Sequence, residues 1–216
     1  MIEKIKISMK LLRYTYGKKM AIAMTIPLGL IGLLPLLNPE LGITSIFCLL
    51  IIGMWPVQLL FSLSASGLVL SSKRKKELQI AGPVLLSFGS MVLLYSICLL
   101  ILAPRMIRAD GMELQKISFE IIAYALEAVV IMIYCGAAYK FMTVSCICFF
   151  GAYIVLLTGY RIGIRYWQTN IPLWAAIMIG FVLLALGGIA QYGISKLLYK
   201  RPVDKRAQVR TLQKYL

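Results

Sequence analysis

The sequence predicts an all-α fold: a polytopic membrane protein with six transmembrane helices, preceded by a basic amphipathic interfacial helix. Three observations predict it. Hydrophobic residues make up 61% of the 216 and charged residues 14%, where a soluble domain carries roughly 45–50% and about 25%. Several apolar runs reach the ~20 residues that a helix needs to cross a hydrocarbon core about 30 Å thick. The 23 Lys and Arg residues, against eight Asp and Glu, fall in blocks between those runs. No polar stretch is long enough for a separate soluble domain. Residues 20–200 therefore read as one membrane domain between an interfacial helix, 1–19, and a basic cytoplasmic tail, 201–216.

In the first element, Ile2, Ile5, Met9, Leu12 and Tyr16 recur at helical spacing and share one face. Lys4, Lys6, Lys10, Arg13, Lys18 and Lys19 supply the charge. Such a helix fits the membrane–water interface and binds anionic lipid. It does not read as a cleavable signal peptide, because no short apolar run with a small-residue cleavage site follows the basic region.

The predicted spans cover about 20–37, 43–70, 83–103, 117–139, 141–160 and 172–195. Pro27 and Pro35 should bend the first. Asn38, Pro39, Glu40, Leu41 and Gly42 make a turn. The second run is longer than a bilayer needs, so it tilts, kinks at Pro56 or projects beyond the core. Its second half holds Gln58, Ser62, Ser64 and Ser66, residues that either pack helices closely or line a substrate cleft.

A strongly basic segment follows: Ser71, Ser72, Lys73, Arg74, Lys75, Lys76, Glu77, Leu78, Gln79 and Ile80. Four consecutive cations cannot sit in hydrocarbon, so this piece lies in water or at the headgroups. It fixes topology, serves as a docking helix for a cytoplasmic partner, or does both. Pro83 then falls in the first turn of the third span, where proline is tolerated. Residues 104–116 read as a polar loop of mixed charge, and 161–170 as a small amphipathic outer loop with interfacial aromatics.

The fourth span contains Glu127, the one carboxylate deep in an apolar run. Glu120, Tyr124, Glu127 and Tyr134 are spaced four, three and seven apart and share a face. An ionisable residue inside a span faces protein or a wet cavity and is a functional candidate. A purely structural role, clamping neighbouring helices through a hydrogen bond, fits the same pattern. Gly187 and Gly188 in the sixth span mark a close helix approach.

Charge sets the orientation. With both ends in the cytoplasm, eighteen cations lie inside and five outside, as the positive-inside rule requires. The net charge of +15 follows from this bias and from attraction to anionic lipid, and is not a nucleic-acid signature. The chain has no histidine, which removes histidine-dependent zinc sites and Ser-His-Asp triads. The five cysteines all sit in apolar runs and read as buried or lipid-facing thiols, with no metal site. No glycine-rich phosphate loop is present. Nothing assembles an enzyme, and no cofactor is implied for this chain.

The order of parts resembles the membrane subunit of bacterial ABC-2-type exporters, above all the small six-span half-permeases that export amphipathic peptides such as phenol-soluble modulins or bacteriocins. The likeness lies in the basic helix before span one and in the turn Leu70, Ser71, Ser72, Lys73, Arg74, Lys75, Lys76, Glu77 and Leu78 after span two. It extends in layout over nearly the whole chain. Two departures mark this chain as minimal: a very short loop between spans four and five, and a small outer region between spans five and six. The resemblance implies a separate cytoplasmic ATP-binding subunit holding ATP and Mg, and a second permease copy, identical or a related paralogue. It further implies a coupling helix over Ser71, Ser72, Lys73, Arg74, Lys75, Lys76, Glu77, Leu78 and Ile80. The cleft between the copies would be lined by Gln58, Ser62, Ser66, Tyr124, Glu127 and Tyr134. The location implied is the bacterial plasma membrane. Two other classes share the size and the absent ATP motif: the six-span substrate-binding component of a vitamin importer, and a membrane immunity or scaffold protein without transport.

Overall fold

A computed structural model describes residues 18–36, 38, 42–64, 76–166 and 171–201. The interfacial helix, the tail beyond Arg201 and most of the basic segment lie outside these residues. Among the described residues the chain is all-helical. In chain order the helices are α1 (Lys18–Gly32), α2 (Gly42–Ile52), α3 (Trp55–Ser64), α4 (Gly82–Arg108), α5 (Met112–Ala137), α6 (Met142–Tyr166) and α7 (Leu173–Leu198). A 3₁₀ turn, Leu34–Leu36, follows α1, and a π-helical turn, Glu77–Ala81, leads into α4.

Five stretches are long and apolar enough to cross a membrane: Gly42–Phe61, Gln79–Arg108, Met112–Ala137, Met142–Gly163 and Leu173–Leu198. These helices are compatible with a multi-pass membrane protein. Ala21–Leu36 is apolar but shorter. Pro27 lies inside α1, and Pro35 falls in the 3₁₀ turn that ends the run. The expected long second span is two helices with a break at Gly53 and Met54, just before Pro56. Proline has no N–H to donate back into the preceding turn, so a helix can restart there but not run through smoothly.

Two expected loops turn out to be helical. Pro104 lies within α4, which continues to Arg108, and α5 begins at Met112. The loss of one backbone hydrogen bond at Pro104 is tolerated near the helix end, where the Ala109 N–H still reaches the Arg105 carbonyl at 2.9 Å. Gly111, with φ of 51°, takes a positive-φ conformation at the turn, which glycine adopts most readily. Likewise α6 extends to Tyr166, through much of the expected loop over 161–170. The connection at Lys140 is a tight turn over 138–141.

The packing follows from where apolar and small residues recur. α5 is the central helix: 61% of its apolar window is buried, against 6% for α6. Tyr95, Ile121, Tyr124, Ile131, Met132 and Leu184 are among the fully buried side chains at the junction of α4, α5 and α7. α7 approaches through its glycines. A Cβ on Gly187 would lie 2.6 Å from Met132 Cε, and one on Gly188 would lie 2.9 Å from the Phe88 ring. Gly180 lies against the buried Tyr95 ring, where a Cβ would collide. Numbers rise along α7 as they fall along α4, so these two run antiparallel.

α6 rests mainly on α5. Its other face carries Val144, Ile147, Phe150, Ile154 and Val155, all at least 60% exposed. Exposed apolar bands of this size are what lipid, rather than water, would cover.

Candidate functional site

Three residues of α5 occupy one face seven apart: Glu120, Glu127 and Tyr134. Seven residues is nearly two full turns, so the drift between them is only about 20° per step. α6 carries a matching row, also seven apart: Tyr160, Tyr153 and Cys146. The helices run antiparallel, and the two rows meet as three rungs.

The first rung is fully bonded. The Tyr160 hydroxyl donates to Glu120 Oε1 at 3.3 Å, and Arg105 Nη1 donates to Glu120 Oε2 at 2.9 Å. The Tyr124 hydroxyl lies 3.5 Å from the same Oε2. Gly42 at the start of α2 leaves room for this cluster, since a Cβ there would lie 3.1 Å from the Tyr124 hydroxyl. The third rung is also bonded: the Tyr134 hydroxyl and Cys146 Sγ share a hydrogen bond at 3.6 Å.

The middle rung differs. Glu127 is 1% exposed, and neither of its carboxyl oxygens has a hydrogen-bond partner among the described residues. Tyr153 stands at its level on α6, within electrostatic reach, as do Cys48 of α2 and Cys98 of α4. Phe47 of α2 stacks on Tyr153 with ring centroids 3.8 Å apart, and Phe149 continues the stack at 5.8 Å from Phe47. Phe149 then meets Tyr134 at 4.9 Å. These rings carry the contact between α2 and α6.

The structure thus brings together three of the six cleft candidates, Tyr124, Glu127 and Tyr134. Gln58 is half-buried on α3, which packs on α4 and the π-helical turn. Ser62 lies on α3 with its side chain undescribed, and Ser66 lies outside the described residues. Arg105, Tyr160, Tyr153 and Phe47 are additional members that the sequence reading missed. The signal for the two tyrosines was present, in the seven-residue spacing of Cys146, Tyr153 and Tyr160.

A second cluster lies at the other end of the bundle. Of the coupling candidates, Ser71, Ser72, Lys73, Arg74 and Lys75 lie outside the described residues. Lys76 is exposed, and Glu77 and Leu78 belong to the π-helical turn. In the same turn Gln79 is 1% and Ile80 3% exposed. The turn packs against α3, α4 and α7. Nearby on α7, Gln191 and Ser195 are fully buried. Phe61 of α3 stacks on Tyr139 at 4.4 Å, and the Lys140 ammonium donates to the Arg201 carbonyl.

Among the described residues no group of three His, Cys, Asp or Glu side chains could hold a metal ion. No protein-family model matches this chain, and neither a curated protein nor a solved structure is significantly similar to it.

Proposed function

We propose that this chain is the transmembrane subunit of an ATP-driven exporter, with six spans and both ends in the cytoplasm of a bacterial cell. Its substrates are amphipathic or antimicrobial peptides. In this reading Ala21–Leu36 is the first span, and the break at Gly53 divides the second. ATP is bound and hydrolysed by a separate cytoplasmic subunit, and a second permease copy completes the pathway.

The observation that carries the reading is the π-helical turn at Glu77–Ala81. It continues directly from the basic segment, and it buries Gln79 and Ile80 in a bundle built from α3, α4 and α7. A charged cytoplasmic segment joined this way to the packed core can pass a push from a partner to several helices at once. π-helical turns are rare and recur at functional positions. Packed interfaces switch between discrete arrangements, so a small displacement at such a turn can become a helix rotation.

The importer reading needs a polar pocket at the opposite end. Arg105, Glu120, Tyr124 and Tyr160 cluster there, but the Glu120 oxygens are already bonded within the cluster, which favours a structural role.

Co-purification tests the proposal. A stable complex with an ATP-binding subunit, lost when Lys73, Arg74, Lys75, Lys76 and Glu77 are all replaced by alanine, is the expected result. An intact complex with intact ATP-driven export in that variant sinks the coupling role.

A further inference from the structure

The middle rung of the α5–α6 ladder has the chemistry of a binding site. Glu127 is a carboxyl whose two oxygens accept nothing from the described residues, at 1% exposure, while the rungs above and below it are bonded. Tyr153, within electrostatic reach of it, carries the Phe47 stack, extended by Phe149. A carboxyl group with aromatic rings at its level becomes complementary to a cation on an apolar body once it gives up its proton. The oxygens take the charge, and the π faces add cation–π attraction, which is strongest where water is excluded. A neutral apolar ligand would leave the carboxyl unpaired, and an anion would be repelled.

The contact between α2 and α6 at this level rests on aromatic side chains. α6 rests mainly on α5, and it reaches α2 through Phe47, Phe149 and Tyr153. Phe47 and Phe149 are 8% and 9% exposed, so both rings are buried where these helices meet.

We infer that Glu127, Phe47 and Tyr153 form a site for a lipophilic organic cation entering between α2 and α6. The same chemistry occurs in a free small cation and in the ammonium groups of a cationic amphipathic peptide. As a statement about substrate charge, the inference rests on the export reading; as a statement about binding, it does not.

Tetraphenylphosphonium is the probe, with the full-length protein in phosphatidylcholine nanodiscs, a membrane without net anionic charge. Equilibrium dialysis should show one saturable site per chain. Glu127→Gln, with unchanged gel-filtration elution, should weaken it at least tenfold, and Phe47→Leu or Tyr153→Leu about threefold or more. Neutral triphenylphosphine oxide should not compete. Competition by a lysine-bearing amphipathic peptide assigns the site to peptide ammonium groups, and its failure assigns it to small cations. The inference is overturned if wild type shows no saturable binding. It is also overturned if Glu127→Gln binds like wild type, or if, should that variant misfold, both ring variants do. The assay needs no ATPase, so saturable binding together with failure to co-purify an ATP-binding subunit leaves the site standing and removes the exporter.

Discussion

Arg105 Nη1 lies 2.9 Å from Glu120 Oε2 and ties the end of α4 to the first turns of α5. Glu120 is 7% exposed at its side chain and Arg105 21%, so the pair is largely withdrawn from solvent. Removing one partner of such a pair leaves a charge without compensation, which costs more than the pair contributes. Arg105→Ala should therefore lower stability by about 1–3 kcal/mol. Glu120→Gln in the Arg105→Ala background should recover much of the loss, because the glutamine remains a partner for Tyr160 without the charge. Thermal unfolding of the four proteins of this cycle in detergent measures the coupling. Additive effects would mean the ion pair contributes nothing of its own.

The glycines of α7 should not respond alike. At Gly180 a Cβ meets the Tyr95 ring, which is 0% exposed and cannot retreat. Gly180→Ala should destabilise by about 1–3 kcal/mol, the usual cost of overpacking a tight core. At Gly188 the obstacle is Phe88, which is 37% exposed and can swing outward, so Gly188→Ala should cost less. Gly89 in α4 has nothing within 4 Å of the new methyl. There the substitution should stabilise by up to ~1 kcal/mol through helix propensity alone. Melting midpoints in this order check the packing of α7; a neutral Gly180→Ala would show that α7 does not seat on Tyr95.

Much of this was legible in the sequence, and the parts that were not have physical reasons. Apolar run length sufficed to locate the long helices, because crossing a bilayer demands it. The shared face of Tyr124, Glu127 and Tyr134 followed from spacing alone. Helix ends were less legible. Arg105, Arg108, Glu113 and Lys116 read as a loop by charge, yet the backbone stays helical wherever its hydrogen bonds close, and all four lie on helices. That misreading hid Arg105 as the partner of Glu120. The stacking of Phe47 on Tyr153 could not be read at all, since an aromatic in an apolar run looks the same facing lipid or core. Nor does hydrophobicity mark a π-helical turn; the one at Glu77–Ala81 depends on how Gln79 and Ile80 pack.

Orientation gives a prediction that needs no substrate. With both ends cytoplasmic, Lys76 faces the cytoplasm and the α4–α5 turn faces out. Lys76 and Met112 are both exposed, the latter at 79%. In a background with the five native cysteines replaced, Met112→Cys should react with a membrane-impermeant maleimide in intact spheroplasts. Lys76→Cys should react only after the membrane is opened. The reverse pattern would place the basic segment outside, where a cytoplasmic ATPase cannot reach it.

Tyr139 supplies a pH dependence. It lies in the turn between α5 and α6, 5% exposed and stacked on Phe61. Burial, and to a lesser degree the nearby Tyr199, push its hydroxyl up to about 12. An unfolded tyrosine ionises near ~10. Below that pH both states hold the proton, and the contribution to stability is constant. Between about 10 and 12 the unfolded chain loses its proton while the folded one keeps it, so stability falls as pH rises through this window. Tyr139→Phe removes both the titration and a buried hydroxyl with no partner among the described residues. At neutral pH that variant should match wild type or exceed it by up to ~1 kcal/mol. Its advantage should then widen between pH 10 and 12, because only wild type retains this titrating group. Unfolding midpoints of the two proteins across that range decide the matter: a difference that stays flat with pH would mean that Tyr139 is solvated in the folded protein.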